Sequence, residues 1–179
     1  RLVKEDFDKP CKDLAVYLLG KILVRKLEFG AVLKGRIVET ECYLGGEDKA
    51  SHSYNGNQEA GAVVLIRSLE VISGTDTMNR FRVTKCKNMN KHIKPTDLCN
   101  GPSKLCIAMD ITKEKLNKLD ISDPYNNEMW LTEDISEMAD KEIVVVNTFR
   151  IGIGPSAEEW VMKPLRYYIL DNKSVSKKR

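Results

Sequence analysis

The sequence predicts a mixed α+β fold: one domain over residues 1–179, built on a curved, largely antiparallel sheet with flanking helices. Three observations predict it. Short β-rich runs recur along the chain, interleaved with a few helical stretches. A length of 179 residues suits one substantial core and falls short of two ordinary domains. There are no internal repeats, no low-complexity tracts, and no apolar run near the roughly 20 residues that span a membrane. The start, Arg1-Leu2-Val3-Lys4-Glu5-Asp6, lacks the apolar region of a signal peptide, so a soluble protein is expected.

Residues 10–19 read as a helix, with Pro10 in its first turn. Cys11, Leu14, Ala15, Leu18 and Leu19 form one apolar stripe, and Gly20 is the stop. Strands are predicted over 22–27, 32–44 and 62–69, then a short helix over 75–83. Gly101-Pro102-Ser103-Lys104-Leu105-Cys106 reads as a turn feeding a helix N-terminus, whose free N–H groups favour an anion. Residues 116–142 are polar and acidic, with Met129-Trp130-Leu131 as an anchored strand within them. Strands over 143–149 and 165–170 complete the set, and the terminal Ser176-Lys177-Lys178-Arg179 reads as a frayed tail.

Cys11, Cys42, Cys86, Cys99 and Cys106 form no Cys-x-x-Cys pair, and only His52 and His92 could join them as ligands. That argues against a disulfide framework and a zinc site, and for a reducing intracellular compartment; no metal is expected. The net charge of +3 is modest but uneven. Between Asp76 and Asp97 no acidic residue occurs, while Arg80, Arg82, Lys85, Lys87, Lys91 and Lys94 all fall there. Such a block suits a phosphate backbone, and on charge alone it suits a solvated loop equally well.

The richest stretch is Val38-Glu39-Thr40-Glu41-Cys42-Tyr43-Leu44-Gly45, followed by Ser51-His52-Ser53. On a regular strand Ile37, Glu39, Glu41 and Tyr43 share one face, and Arg36, Val38, Thr40 and Cys42 the other. Two carboxylates and an aromatic ring then point the same way, and the Gly45-Gly46 turn lets the chain bring His52 back towards them. The residues alone leave several readings open. The stretch could be an edge strand with solvated glutamates. Glu39 and Glu41, about 7 Å apart as same-face neighbours, could be the acid and base of a carbohydrate hydrolase. Two tryptophans and a basic segment fit nucleic acid better than sugar.

Four segments taken together resemble the alkyladenine (3-methyladenine) DNA glycosylases of the eukaryotic and bacterial type. They are Gly35-Arg36-Ile37-Val38-Glu39-Thr40-Glu41-Cys42-Tyr43-Leu44-Gly45, Val64-Leu65-Ile66-Arg67-Ser68-Leu69-Glu70, Cys99-Asn100-Gly101-Pro102-Ser103-Lys104-Leu105-Cys106 and Arg150-Ile151-Gly152-Ile153-Gly154. The resemblance implies a monofunctional, cofactor-free enzyme, acting as a monomer on damaged purines in double-stranded DNA, without membrane association and in the nucleus. It implies Glu41 as the general base that activates water against the sugar C1′. Arg67 and the backbone carbonyl of Ile151 would hold that water, and Arg67 also the adjacent phosphate. Tyr43, His52, Leu65, Ile151 and Gly152 would line the pocket for the flipped base. Asn100, Ser103 and Lys104, with Arg82, Lys85 and Lys87 of the basic block, would meet the DNA backbone. Glu39 is expected to make a structural salt bridge.

The chemistry accounts for these residue types. An N-glycosidic bond breaks through an oxocarbenium-like state, so a nearby carboxylate both stabilises positive charge and accepts a proton from water. Alkylated purines such as 3-methyladenine and 7-methylguanine are cationic, and a tyrosine face attracts a cation by roughly 0.5–2 kcal/mol. The resemblance breaks once, after Gln58, where family members carry roughly thirty more residues, among them a hairpin whose side chain wedges into the minor groove. The favoured reading is that the full-length protein has this segment and the present sequence omits it. A true deletion would permit a non-catalytic nucleic-acid-binding module on the same fold.

Overall fold

In a computed structural model, which describes residues 1–51, 54, 61–85, 92–136, 143–154 and 157–177, the chain opens with helices α1 (Lys4–Phe7) and α2 (Cys11–Tyr17). The expectations for His52, Lys87, Lys91 and the break after Gln58 lie outside the described residues. Pro10 caps α2, and Gly20 closes it at φ +85°, a backbone region that L side chains rarely enter. Strands β1 (Ile22–Lys26), β2 (Val32–Tyr43) and β3 (Val63–Ser73) follow. Strand β3 continues past the expected end at residue 69, carrying Glu70 into the sheet. Glu70 sits opposite Arg36, whose Nη1 donates to Glu70 Oε2 at 2.6 Å.

Helices α3 (Thr75–Lys85), α4 (Pro95–Leu98), α5 (Pro102–Ala108) and α6 (Lys113–Leu116) come next. Then come β4 (Met129–Thr132), β5 (Val145–Thr148), α7 (Glu158–Val161) and β6 (Arg166–Ile169). The single-turn helices α1, α4, α6 and α7 were not predicted, because four residues carry too little periodicity to register. The strands form one open antiparallel sheet in the order β4-β1-β2-β6-β5, with β3 also pairing β2. The long strand β2 is therefore central, not an edge. Among the described residues no helix is long and apolar enough to cross a membrane.

Two bulges correct the expected face of β2. The register runs from Ile37 opposite Leu69 to Glu39 opposite Ser68 and then to Thr40 opposite Ile66. Val38 on β2 and Arg67 on β3 are thus each one residue in excess, which bends both strands and re-aims their side chains. Ile37, expected beside the glutamates, lies instead in the main core with Cys42, while Val38 joins a small cluster with Tyr168 and Val175. Thr40 also turns to the core side, its Oγ1 donating to the α2 carbonyl of Ala15 at 2.7 Å. Glu39, Glu41 and Tyr43 keep the shared face. The main core is closed by Ala15 of α2, Met78 of α3, and Leu105 and Ala108 of α5.

Candidate active site

Glu39 and Glu41 are both fully buried, so neither is a solvated surface carboxylate. Burying an anion is costly unless it is paired and hydrogen-bonded, and each glutamate meets that condition differently. Arg67 bridges them from its bulge on β3: Nε donates to Glu39 Oε1 at 3.1 Å and Nη1 to Glu41 Oε2 at 3.0 Å.

Glu39 is saturated. Oε1 accepts from Arg67, from Arg166 Nε at 2.7 Å and from Ser176 Oγ at 2.8 Å. Oε2 accepts from Ser68 Oγ at 2.9 Å and from the Ser176 N–H at 2.7 Å. Burial alone would raise its pKa, but the Ser176 N–H and Arg166 outweigh burial and hold it below the usual range. Five donors against about four lone-pair directions leave no oxygen free to take a proton from a substrate. The salt bridge expected for Glu39 is present. Ser176, by contrast, does not belong to a frayed end: its two donors fix the C-terminal segment over this carboxylate.

Glu41 is organised otherwise. Oε2 accepts from Arg67 Nη1 and from the Tyr43 hydroxyl at 2.9 Å. Oε1 accepts from the Ile151 N–H at 2.7 Å. Among the described residues, Oε2 is full by lone-pair count, whereas Oε1 keeps one direction open. The Tyr43 phenol is pushed well above its ordinary pKa, first by burial and then by the Glu41 charge, so it remains a neutral donor. The Tyr43 ring also carries the Arg150 guanidinium at 4.6 Å from its centroid.

The remaining predicted residues divide into those gathered at Glu41 and those set apart. Leu65 lies directly opposite Glu41 in the β2–β3 register and is half-buried. The Ile151 N–H points at Glu41, and Gly152, at φ +79°, turns the chain away with no side chain in the way. Asn100 forms an antiparallel bridge with Ser68, beside Arg67, and so brings the start of α5 to the site. Lys104 Nζ donates to Asn100 Oδ1 at 2.6 Å, and Asn100 Nδ2 to Asp97 Oδ1 at 2.9 Å. Ser103 and Lys104 are exposed, as is Lys85 at the end of α3. Arg82, expected with the DNA-facing cations, is only 7% exposed. Its Nη1 donates to the carbonyls of Asp97, at 3.1 Å, and Leu98, which end α4. Its charge serves a helix C-terminus.

Sequence reasoning missed Asp48, Ser68, Arg166 and Ser176. Arg166 alone gave a signal, an arginine inside an otherwise apolar strand. Ser68 and Ser176 find their partner Glu39 far along the chain, and Asp48, though it accepts from the nearby Leu44 and Ala50 N–H groups, finds its charged partner, Arg150, 102 positions away, so no local pattern marks these pairings.

The sequence profile of the methylpurine-DNA glycosylase family matches this chain over residues 5–63 and 56–173. The two matches overlap over residues 56–63. The “Probable DNA-3-methyladenine glycosylase” of Encephalitozoon cuniculi is 41% identical over 202 aligned positions, covering 96% of this chain and 90% of that protein. The mouse and human proteins named “DNA-3-methyladenine glycosylase” are each 38% identical over 208 positions and 98% of this chain, which spans 61% and 68% of their lengths. These alignments are longer than the 179 residues of the chain, so the relatives carry residues that it lacks. With a family match over most of its length, and with relatives this similar, the chain belongs to the methylpurine-DNA glycosylase family and is an enzyme of the DNA N-glycosylase class.

Proposed function

We propose that this enzyme accepts 3-methyladenine, 7-methylguanine and deaminated purines flipped out of duplex DNA, and hydrolyses their N-glycosidic bond to leave an abasic site. The observation that carries the reading is the asymmetry of Glu41: a buried carboxylate with, among the described residues, a saturated Oε2 and one open direction on Oε1. Oε1 takes the proton from the attacking water while the carboxylate charge stabilises the oxocarbenium sugar. Arg67, Tyr43 and the Ile151 N–H hold the carboxylate still, so little reorganisation accompanies reaction.

The extruded base stacks on Tyr43, with Leu65, His52, Ile151 and Gly152 around it, and cationic purines gain from the ring face. Damaged and mispaired bases unstack most cheaply, which favours them further. Asn100, Ser103, Lys104 and Lys85, with Lys87, meet phosphates. Nuclear DNA is the proposed target; the similar proteins come from mouse, human and Encephalitozoon cuniculi and also from Clostridium species.

The test is release of free base from a duplex carrying one 7-methylguanine or one hypoxanthine, measured with enzyme in excess and chromatographic detection. Release that leaves an alkali-labile abasic strand is expected. Tight binding to the lesion duplex without release would establish instead a non-catalytic nucleic-acid-binding module on the same fold.

A further inference from the structure

Arg150 and Asp48 form an ion pair whose side chains are both fully buried. Arg150 Nη1 donates to Asp48 Oδ2 at 2.6 Å and to the Cys42 carbonyl at 3.2 Å. Nη2 donates to Asp48 Oδ1 at 3.0 Å and, at 3.5 Å, to the Trp160 carbonyl. Asp48 accepts two more bonds, from the N–H of Leu44 at 3.1 Å and of Ala50 at 3.0 Å. Burial would raise the Asp48 pKa, but Arg150 and these two N–H groups outweigh it and hold the carboxyl ionised.

The partners of this fork are the two segments that frame Glu41. Cys42 and Leu44 flank Tyr43, whose ring lies against the guanidinium. Ile151, whose N–H donates to Glu41 Oε1, is the next residue after Arg150.

We propose that Asp48 and Arg150 are the positioning residues of the active site. They clamp the chain after Tyr43 to the chain before Ile151, and thereby fix the ring face on which the base stacks and the N–H that orients Glu41. The inference rests on the function proposed above. Neither residue touches substrate; both act through Tyr43 and Ile151. The planar two-pronged guanidinium is essential here, because a lysine ammonium cannot reach both Asp48 oxygens and the Cys42 carbonyl from one rigid plane.

The experiment compares the parent with Arg150→Lys, and with the paired Asp48→Leu/Arg150→Met variant that leaves no buried charge unpaired. Each is measured for melting, affinity for a lesion duplex and single-turnover excision. A displacement near 1 Å at the reacting centre costs on the order of a hundredfold. A fall of about ten- to a hundredfold in excision rate is therefore expected in a folded variant, with duplex affinity within about threefold of the parent. In a Tyr43→Leu background the further effect of Arg150→Lys should shrink, because the ring that transmits it is gone. Parental rates in either folded variant, or effects of Arg150→Lys and Tyr43→Leu that simply multiply, would overturn the clamp and leave the function standing. A parent that releases no base would overturn both.

Discussion

Replacing Glu41 with glutamine keeps the length of the side chain and removes its charge, and the geometry fixes what is lost. A glutamine can turn its carbonyl oxygen to Arg67 and Tyr43, keeping the two bonds now made by Oε2. Its amide nitrogen then faces the Ile151 N–H at the 2.7 Å position, donor against donor, and no oxygen remains to take a proton from water. Loss of the general base is worth 10² to 10⁴ in rate, about 3–5 kcal/mol of barrier, and loss of the anion beside the oxocarbenium sugar adds to it. The cost to folding is smaller, about 1.5–3 kcal/mol for one charge-assisted bond, since Arg67 retains Glu39. The assay is single-turnover excision with circular dichroism to verify folding and a separate measurement of lesion-duplex affinity, which should stay near the parental value. A folded Glu41→Gln variant that keeps more than about a tenth of the parental rate would refute the assignment.

Glu39→Gln should act on stability first: its charge is shared by Arg67 and by the fully buried Arg166, so the loss is about 3–5 kcal/mol, read as a lowered melting temperature. A variant that melts with the parent would show that the network contributes little. Tyr43→Leu should slow excision of cationic 7-methylguanine more than of neutral hypoxanthine, and equal slowing would dismiss the ring's attraction for charge. Lys104→Ala should weaken binding to all duplexes alike and reduce its salt dependence, whereas Arg82→Gln should lower the melting point and leave the salt slope unchanged; the reverse pattern would exchange their roles. Asp48 and Glu39 have folded pKa values below the ordinary carboxylate range. They stay ionised where unfolded carboxylates, near pH 4, already bind protons, so their contribution is complete at neutral pH and fades as pH falls from about 4. Asp48→Asn should therefore flatten the acid end of the melting curve against pH, and an unaltered acid end would contradict the shift.

By itself the sequence determined the strands, the longer helices and the family, but not the single-turn helices α1, α4, α6 and α7. Runs of β-branched and other apolar residues mark β1, β2 and β3, and Pro10 and Gly20 bracket α2 because a proline tolerates a helix start and a glycine its left-handed exit. Glu41 and Tyr43 were legible because a strand of period two sets neighbours two apart on one face, and the bulge at Val38 lies before that pair. The bulges themselves were not legible. Nothing local distinguishes Val38 or Arg67 as the extra residue, since a bulge is fixed by the register of two strands.

The tertiary structure alone decided which glutamate is free to react. Both have the same residue type, the same face and the same burial, yet Glu39 is saturated by Ser68, Arg166 and Ser176, the last two well over a hundred residues distant, while among the described residues Glu41 keeps one lone-pair direction open. It likewise drew Arg82 into a helix end and joined Asp48 to Arg150 across 102 positions. The physical reason is common to all three: a buried charge has to find its partners in space, and spatial neighbours at that sequence separation leave no periodic trace in the chain.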